Sequence, residues 1–248
     1  MAPENPHIIF FKEITSTNDY ARKLLASEKP EGGTVIQAGH QTAGKGHDGN
    51  SWESEAGRNI LLSMIIYPGE LEISRQFYLS MAAALGIADF LRDIIPDRKI
   101  LIKWPNDIYV EDKKIGGILI NNEIMGEHFE HAIVGIGLNV NQVKFSDDIP
   151  NPTSLSILTN KSHQIADLTI MLCGHLNSRF DQLTEGAFEG LEGDYLQNLL
   201  GLREWRTYIH NNRKIRAMIT GVNAFGHLLL DAGDRKIECD LKEIAYLF

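Results

Sequence analysis

The 248-residue sequence has few cysteines, no excess of basic residues and no long apolar run. Cys173 and Cys239 are its two cysteines, too few and too far apart for a cysteine-based metal site, and reduced thiols are expected. The N-terminus has no basic segment followed by an apolar one, so no signal peptide is expected. No apolar run approaches the roughly 20 residues that span a bilayer. These absences predict a cytoplasmic protein.

The charge balance argues against one functional class, the nucleic-acid-binding proteins. A formal net charge of −9 argues against a general nucleic-acid binder, because nucleic-acid-binding domains are usually basic. It does not argue against a nucleotide, for which a few local cations suffice. The hydrophobic content of 43% and charged content of 23% are ordinary for a soluble globular protein.

The pattern of apolar residues predicts an α+β fold with a mixed, largely antiparallel sheet. Strands are predicted at 8–13, 33–39, 59–67, 100–104, 107–111, 115–123 and 129–138. Helices are predicted from the Thr15–Asn18 cap to about 28, over 73–95, and within 154–202. Short turns between consecutive strands, with the last pair turning around 121–127, favour α+β over a doubly wound sheet. His175, on an apolar helical stripe, is expected in the core rather than as a ligand.

The C-terminal part has a different pattern. Short apolar segments at 214–219, 226–231, 235–239 and 244–247 alternate with turn residues, which predicts a small β-barrel of roughly 50 residues. Such a unit is marginal alone and is expected to pack on the larger one. We therefore predict a catalytic domain over 1–200 and a small domain over 201–248.

The segment from Gly39 to Trp52 contains two overlapping phosphate-binding patterns, G-x-x-x-x-G-K and G-x-G-x-x-G. Gly46 stands where a P-loop needs Ser or Thr. The chain then enters the apolar run at 59–67 instead of the helix that both motifs require. The pattern favours a strand–loop–strand whose loop closes over a ligand. The alternative is a surface loop without function.

A second constellation comprises Lys103-Trp-Pro-Asn-Asp107, Lys113-Lys-Ile-Gly-Gly117 and Gly135-Ile-Gly-Leu-Asn139. Pro105 interrupts strand pairing, and the glycines at 116 and 117 permit close approach of a ligand. A lysine at 114 with an acidic partner could neutralise a carboxylate or phosphate in a poorly solvated pocket. The alternative is that Lys113 and Lys114 only solvate a hairpin tip.

Together these segments resemble the biotin protein ligases, in their short form. The matching motifs lie in the family's order and cover residues 13–141 densely, whereas the C-terminal strands fit the family's SH3-like end domain more loosely. The resemblance implies a class II synthetase-like catalytic fold. Because the catalytic pattern starts near residue 7, the N-terminal DNA-binding domain of some members is not expected.

The resemblance implies an ATP- and Mg²⁺-dependent enzyme. Biotin would be activated to biotinyl-5'-AMP and transferred to a lysine of a biotin carboxyl carrier protein. The Mg²⁺ is expected to be held mainly by phosphates, without dedicated protein ligands. Because some members dimerise through a sheet edge, a homodimer is possible. DNA and membrane partners are not expected.

The resemblance also assigns site residues. Lys114 would bridge the biotin carboxylate and the α-phosphate, and Asp107 would orient Lys114 or help hold the metal. The residues expected to bind biotin are Ser16, Thr17, Asn18, Gln41, Gly44, Lys45, Gly46, His47, Lys114 and Gly117. Those expected to bind ATP or the adenylate are Lys45, His47, Trp52, Asn106, Lys114 and Asn139.

The glycine loop departs from the family pattern. Lys45 and His47 take the places of arginines, and Asp48 adds a negative charge. Lysine cannot make arginine's bidentate contact with phosphate, and histidine is largely neutral at pH 7, so we expect a looser hold on the adenylate.

Two alternatives remain. A lipoate ligase or octanoyl transferase shares the fold, but Lys103–Asp107 and the polar 16–18 turn favour biotin, and the transferases' cysteine has no counterpart in the motifs. A non-catalytic biotin or adenylate binder is the other.

Overall fold

A seven-stranded sheet forms the centre of the large unit. The computed structural model describes residues 6–46, 49–126 and 128–247. The strand order is β1-β2-β3-β7-β6-β5-β4, with β1 and β2 parallel and all other pairs antiparallel. The strands are β1 (Ile8–Phe11), β2 (Val35–Ala38), β3 (Ile60–Ile66), β4 (Ile100–Lys103), β5 (Asp107–Val110), β6 (Lys113–Met125) and β7 (His128–Leu138). The predicted mixed, largely antiparallel sheet is confirmed.

The helices are α1 (Thr17–Ser27), α2 (Phe77–Ile94), α3 (Leu155–Thr159), α4 (Ile165–Thr184) and α5 (Phe188–Gln197). α2 packs against α4 and α5 and closes the main core, where apolar burial is the dominant stabilising contribution. His175 on α4 was expected in the core but lies at its edge: its side chain is 25% exposed, its Nε2 lies 3.0 Å from Asp93 Oδ2, and its ring packs against Phe90. None of the helices in the described ranges is long and apolar enough to cross a membrane.

Three predicted boundaries were wrong. The helix predicted from residue 73 starts with a 3₁₀ turn, Ile73–Arg75, and α2 begins only at Phe77, because the Arg75 and Gln76 N–H groups bond three residues back. The β6–β7 ribbon continues to the Met125–His128 pair, so both strands extend into the segment predicted as a turn at 121–127. Lys114 lies within β6 and not in the preceding turn, since a register shift after Ile108 places it opposite Tyr109.

The C-terminal unit is a five-stranded antiparallel sheet, consistent with an SH3-like domain. Its order is β11-β10-β9-β8-β12, and its strands are β8 (Trp205–His210), β9 (Arg213–Val222), β10 (Leu228–Asp231), β11 (Lys236–Cys239) and β12 (Ile244–Tyr246). β8 was not predicted. It joins β9 through Asn211 and Asn212, which both have positive φ (47° and 62°), the conformation that favours asparagine in tight hairpins.

The small sheet packs on the large unit, as predicted. Tyr208, Ile219 and Leu228 belong to the same buried cluster as the main core. Trp104, after β4, donates its Nε1–H to the Gly226 carbonyl at 2.8 Å. The boundary at residue 200 stays a prediction.

Candidate functional site

A cavity of about 430 Å³ opens where the glycine loop, one face of the large sheet and the last turn of the small sheet meet. Most of the residues predicted from the sequence line it: Ser16, Thr17, Asn18, Gln41, Lys45, Gly46, Trp52, Asn106, Asp107, Lys114 and Gly117. These residues come from segments up to about 100 positions apart, so their convergence is a property of the fold and not of any one motif.

Two predicted residues within the described ranges, Gly44 and Asn139, are not among those that line it. Gly44 packs inside the loop, where a Cβ would lie 2.7 Å from the Trp52 carbonyl oxygen. Asn139 is buried and donates its side-chain amide to the Thr153 carbonyl at 3.0 Å, so it fixes the chain after β7. His47, like Asp48, lies outside the described residues.

One carboxylate holds two lysines at the centre of the site. Asp107 Oδ1 lies 2.6 Å from Lys114 Nζ, and its Oδ2 accepts a hydrogen bond from Lys103 Nζ at 3.1 Å. The side chains are 26% exposed for Lys114, 21% for Lys103 and 14% for Asp107, so the group is poorly hydrated. Two cations with one anion leave an excess positive charge facing the cavity, where charge interactions exceed those in bulk water.

A polar turn, residues 16–18, also lines the cavity. Ser16 caps α1 by accepting a hydrogen bond from the Asp19 N–H at 3.4 Å. The Gln41 side-chain oxygen accepts from the Thr17 N–H at 2.7 Å and from its hydroxyl at 3.1 Å. Asn18 donates to the Asn121 side chain at 2.9 Å. Ser16, Thr17 and Asn18 are buried, Gln41 is partly exposed, and hydrogen bonds within the protein hold their side chains in place.

Ser63 supports this turn from below. Its hydroxyl is buried on β3 and lies 2.7 Å from Thr17 Oγ1, and it also contacts Asn18 Oδ1. Sequence analysis did not identify Ser63. Its one available sign was a polar residue in the otherwise apolar run Ile60–Ile66.

Residues 44–46 and 50–52 of the glycine loop pair with each other beside the cavity. The Trp52 N–H bonds the Gly44 carbonyl at 3.0 Å and the Gly46 N–H bonds the Asn50 carbonyl at 2.7 Å. The Trp52 indole lies on Gly117 and Gly137, and a Cβ at Gly117 would come within 3.2 Å of the ring. The glycines of β6 and β7 therefore leave room for one flat group on the sheet.

The indole N–H of Trp52 is buried and has no hydrogen-bond partner among the described residues. Lys114 Nζ lies 5.8 Å from the centre of the ring, within the range of a cation–π contact. A buried donor without a partner costs free energy, which favours displacement of the ring, or pairing of its N–H, when a polar ligand enters.

The ammonium group of Lys45 is paired with the Asp19 carboxylate. Its Nζ lies 2.9 and 2.8 Å from the two oxygens of Asp19. The hydrogen bond from Lys45 lowers the pKa of Asp19, and the charges of Lys45 and Arg22 lower it further, against the opposing effect of burial. Lys45 is 53% exposed, so its pair with Asp19 contributes little to stability.

The lining residues that sequence analysis missed include Lys103, at the end of β4, and several residues of the small sheet. Lys103 was quoted within its motif without a role, and its ammonium lies 5.3 Å from the Tyr246 ring centre. Leu241, Lys242, Ile244 and Tyr246 also line the cavity. No local pattern indicates that residues so late in the chain reach the site.

The described lining residues of the cavity provide few ligands for Mg²⁺. Asp107 supplies the one carboxylate among its described lining residues, and both oxygens are bonded to lysines. Mg²⁺ takes several oxygen ligands, commonly from substrate phosphates and water. The donor set present does not form a protein-only Mg²⁺ site.

Comparison with known proteins gives consistent matches. The model of the biotin/lipoate A/B protein ligase family matches residues 10–139. The bifunctional ligase/repressor BirA of Bacillus spizizenii is 34% identical over 187 residues, 73% of this chain and 56% of that protein. The biotin–[acetyl-CoA-carboxylase] ligase of Mycobacterium tuberculosis is 28% identical over 94% of this chain and 86% of that protein.

The structure of the Aquifex aeolicus biotin protein ligase in complex with biotin and ATP superposes with a TM-score of 0.79, at 26% identity, over 96% of this chain and 97% of that one. The chain spans just over half the length of the Bacillus relative, 56%.

Proposed function

The chain belongs to the biotin/lipoate A/B protein ligase family, and we propose that it is an ATP-dependent biotin–protein ligase. It activates biotin as biotinyl-5'-AMP and transfers the biotinyl group to a lysine of a biotin carboxyl carrier domain. The observation that carries this proposal is the convergence of Lys114, the 16–18 turn and the glycine loop on one cavity.

The two walls of the cavity suit the two ends of biotin. The neutral ureido ring needs donors and acceptors without charge, which Ser16, Thr17, Asn18 and Gln41 provide. A site built from such buried polar groups rejects an analogue that leaves them unpaired. The carboxylate end would lie toward Lys114, and the glycine faces of β6 and β7 would accept the flat part of the ligand once Trp52 moves.

In the first step, a biotin carboxylate oxygen attacks the α-phosphorus of ATP. The new O–P bond forms as the bond to pyrophosphate breaks. Lys114 would hold both anionic groups and stabilise the charge that builds on the α-phosphate, which is the usual main contribution to such catalysis. Asp107 positions that ammonium through its 2.6 Å contact. Mg²⁺ would be held by the ATP phosphates, and its charge would favour departure of pyrophosphate.

In the second step, the amine of the acceptor lysine attacks the carbonyl carbon of the adenylate. The C–O bond to AMP breaks, an amide forms, and the amine loses its proton to solvent. Gly46, Lys45 and Trp52 cover the cavity from the loop side, so they would shield the anhydride from water until the acceptor arrives. Asn106, which donates to the Ile118 carbonyl at 2.8 Å, would line the part of the cavity that binds the nucleotide. Asn139, which donates to the Thr153 carbonyl, would support that part of the cavity without lining it.

The test is pyrophosphate release with ATP, Mg²⁺ and biotin, followed by a streptavidin blot with a carrier domain. Lys114→Ala is expected to lose at least ~100-fold in the first step, in the range of losing one key charge-stabilising group. Lys113→Ala is the matched control, because Lys113 is the exposed neighbour and does not line the cavity. Equal activity of both variants, with both folded, would refute the assignment.

The same assay separates the alternatives. Lipoate and octanoate lack the ureido ring, so pyrophosphate release with either should be far slower than with biotin. A protein that binds biotin but releases no pyrophosphate would be a non-catalytic binder.

A further inference from the structure

The two edge strands of the small sheet come together at three side chains that can bind a metal. Among the residues the structure describes, His210, Cys239 and Glu243 form a single such group, and their ligand atoms all lie within 4.8 Å of one another. His210 ends β8, Cys239 ends β11, and Glu243 directly precedes β12. β11 and β12 are the two edges of the sheet, and neither is the other's neighbour in its strand order.

The donor types match zinc. Zn²⁺ prefers thiolate, imidazole and carboxylate ligands in tetrahedral geometry, and a fourth position can hold water. The Cys239 side chain is buried, whereas His210 and Glu243 are partly exposed, which gives a dry inner side and an entry path. The spacing needs only a small contraction to reach ligand distances of about 2.0–2.3 Å from a central ion.

The surroundings hold these ligands in place. A Glu243 side-chain oxygen accepts from the Asp240 N–H at 2.9 Å, and the Asn211 N–H bonds the Glu243 carbonyl at 3.0 Å. The Asn211 amide lies 3.3 Å from His210 Nε2. Such outer partners orient metal ligands. Cys239 would bind as the thiolate, and its proton would be released to solvent.

We propose that His210, Cys239 and Glu243 bind Zn²⁺, which joins the two open edges of the small sheet. The joined turn carries Leu241, Lys242 and Ile244, which line the cavity of the main site. Zinc would thus order one wall of that cavity without taking part in the reaction. The site does not depend on the proposed ligase activity, since it can be measured in the absence of any substrate.

The test uses the full-length protein after treatment with a chelator, titrated with Zn²⁺ against a chromophoric competitor and separately with Co²⁺. We expect one Zn²⁺ per chain and a thiolate-to-cobalt charge-transfer band. Cys239→Ser and His210→Asn should each weaken binding by at least ~100-fold, the upper end of what removing an outer-shell partner costs. Cys173→Ser is the matched control, because Cys173 is the other buried cysteine and lies in α4.

A core substitution at Cys239 could unfold the small sheet, so Glu243→Gln, on a partly exposed side chain, provides a second route to the same loss. Thermal unfolding and hydrogen exchange complete the test: Zn²⁺ should raise the Tm and slow exchange over residues 240–246 in the wild type and in Cys173→Ser only. Absence of stoichiometric binding, a cobalt spectrum without the thiolate band, or equal affinity in Cys239→Ser and Cys173→Ser would overturn the proposal.

Discussion

Replacement of Asp107 by asparagine tests how the central lysines are held. The substitution keeps the shape but removes the charge that two ammonium groups share, at 2.6 Å and 3.1 Å. Hydrogen bonds to charged groups contribute about 1.5–3 kcal/mol each. One neutral acceptor remains and the lysines are partly exposed, so we expect a net loss of about 2 kcal/mol. For a chain of this size, that corresponds to a fall in Tm of roughly 4–8 °C.

The same variant should lose more in kcat than in substrate affinity. Lys114 keeps its charge but is repelled by Lys103, and a displacement of about 1 Å can cost roughly 100-fold in rate. Initial rates of pyrophosphate release over a range of ATP and biotin concentrations would separate kcat from KM. Asp112→Asn is the control, since Asp112 is exposed in the adjacent turn. A kcat within twofold of wild type, with Lys114→Ala inactive, would refute a positioning role for Asp107.

Three further outcomes follow. Gly137→Ala places a methyl group where the Trp52 ring lies, and we expect the KM for biotin to rise at least ~10-fold. Gly193→Ala is the control: a Cβ there meets nothing within 4 Å, so biotin kinetics should not change. Ser63→Ala removes the one hydroxyl that contacts both Thr17 Oγ1 and Asn18 Oδ1, which leaves a buried oxygen without its donor and should lower the free energy of unfolding by about 1–3 kcal/mol in chemical denaturation. Burial raises the pKa of the Cys173 thiol to about 12, so neither cysteine of the folded chain should react with iodoacetamide at about pH 8, where little thiolate exists; rapid alkylation of the native protein would contradict this.

Local patterns predicted the large sheet well because strands such as β2 and β3 are buried along their whole length. All seven residues of β3 are buried, and an uninterrupted apolar run of that length is distinctive. β8 was missed for the opposite reason. Its sequence, Trp-Arg-Thr-Tyr-Ile-His, has only Tyr208 buried, so neither alternation nor an apolar run indicates a strand. The pairing of β8 with β9 decides its structure instead.

Sequence motifs predicted only those residues of the candidate site that belong to the motifs themselves. Lys114 and Asp107 are close because β5 and β6 are consecutive antiparallel strands. Lys103 joins them because the β4–β5 register places it directly opposite Asp107, and register across a turn cannot be read from either strand alone. The sequence gives no sign that residues from 241 to 246 line the cavity, because their position depends on how the small sheet packs on the large one.

The distribution of charge reconciles an acidic chain with an anionic ligand. The net charge is −9, yet the described residues that line the cavity include Lys45, Lys103, Lys114 and Lys242 against the single carboxylate of Asp107. Because exposed charges beyond about 10 Å are largely screened at moderate salt, an approaching nucleotide responds to these lysines and not to the acidic remainder. Acidic residues in turn pair with these lysines: Asp107 contacts Lys103 and Lys114, and Asp19 contacts Lys45. A carboxylate that orients a lysine without occupying the anion's place keeps the local charge positive, which is why Asp107 can strengthen the site rather than cancel it.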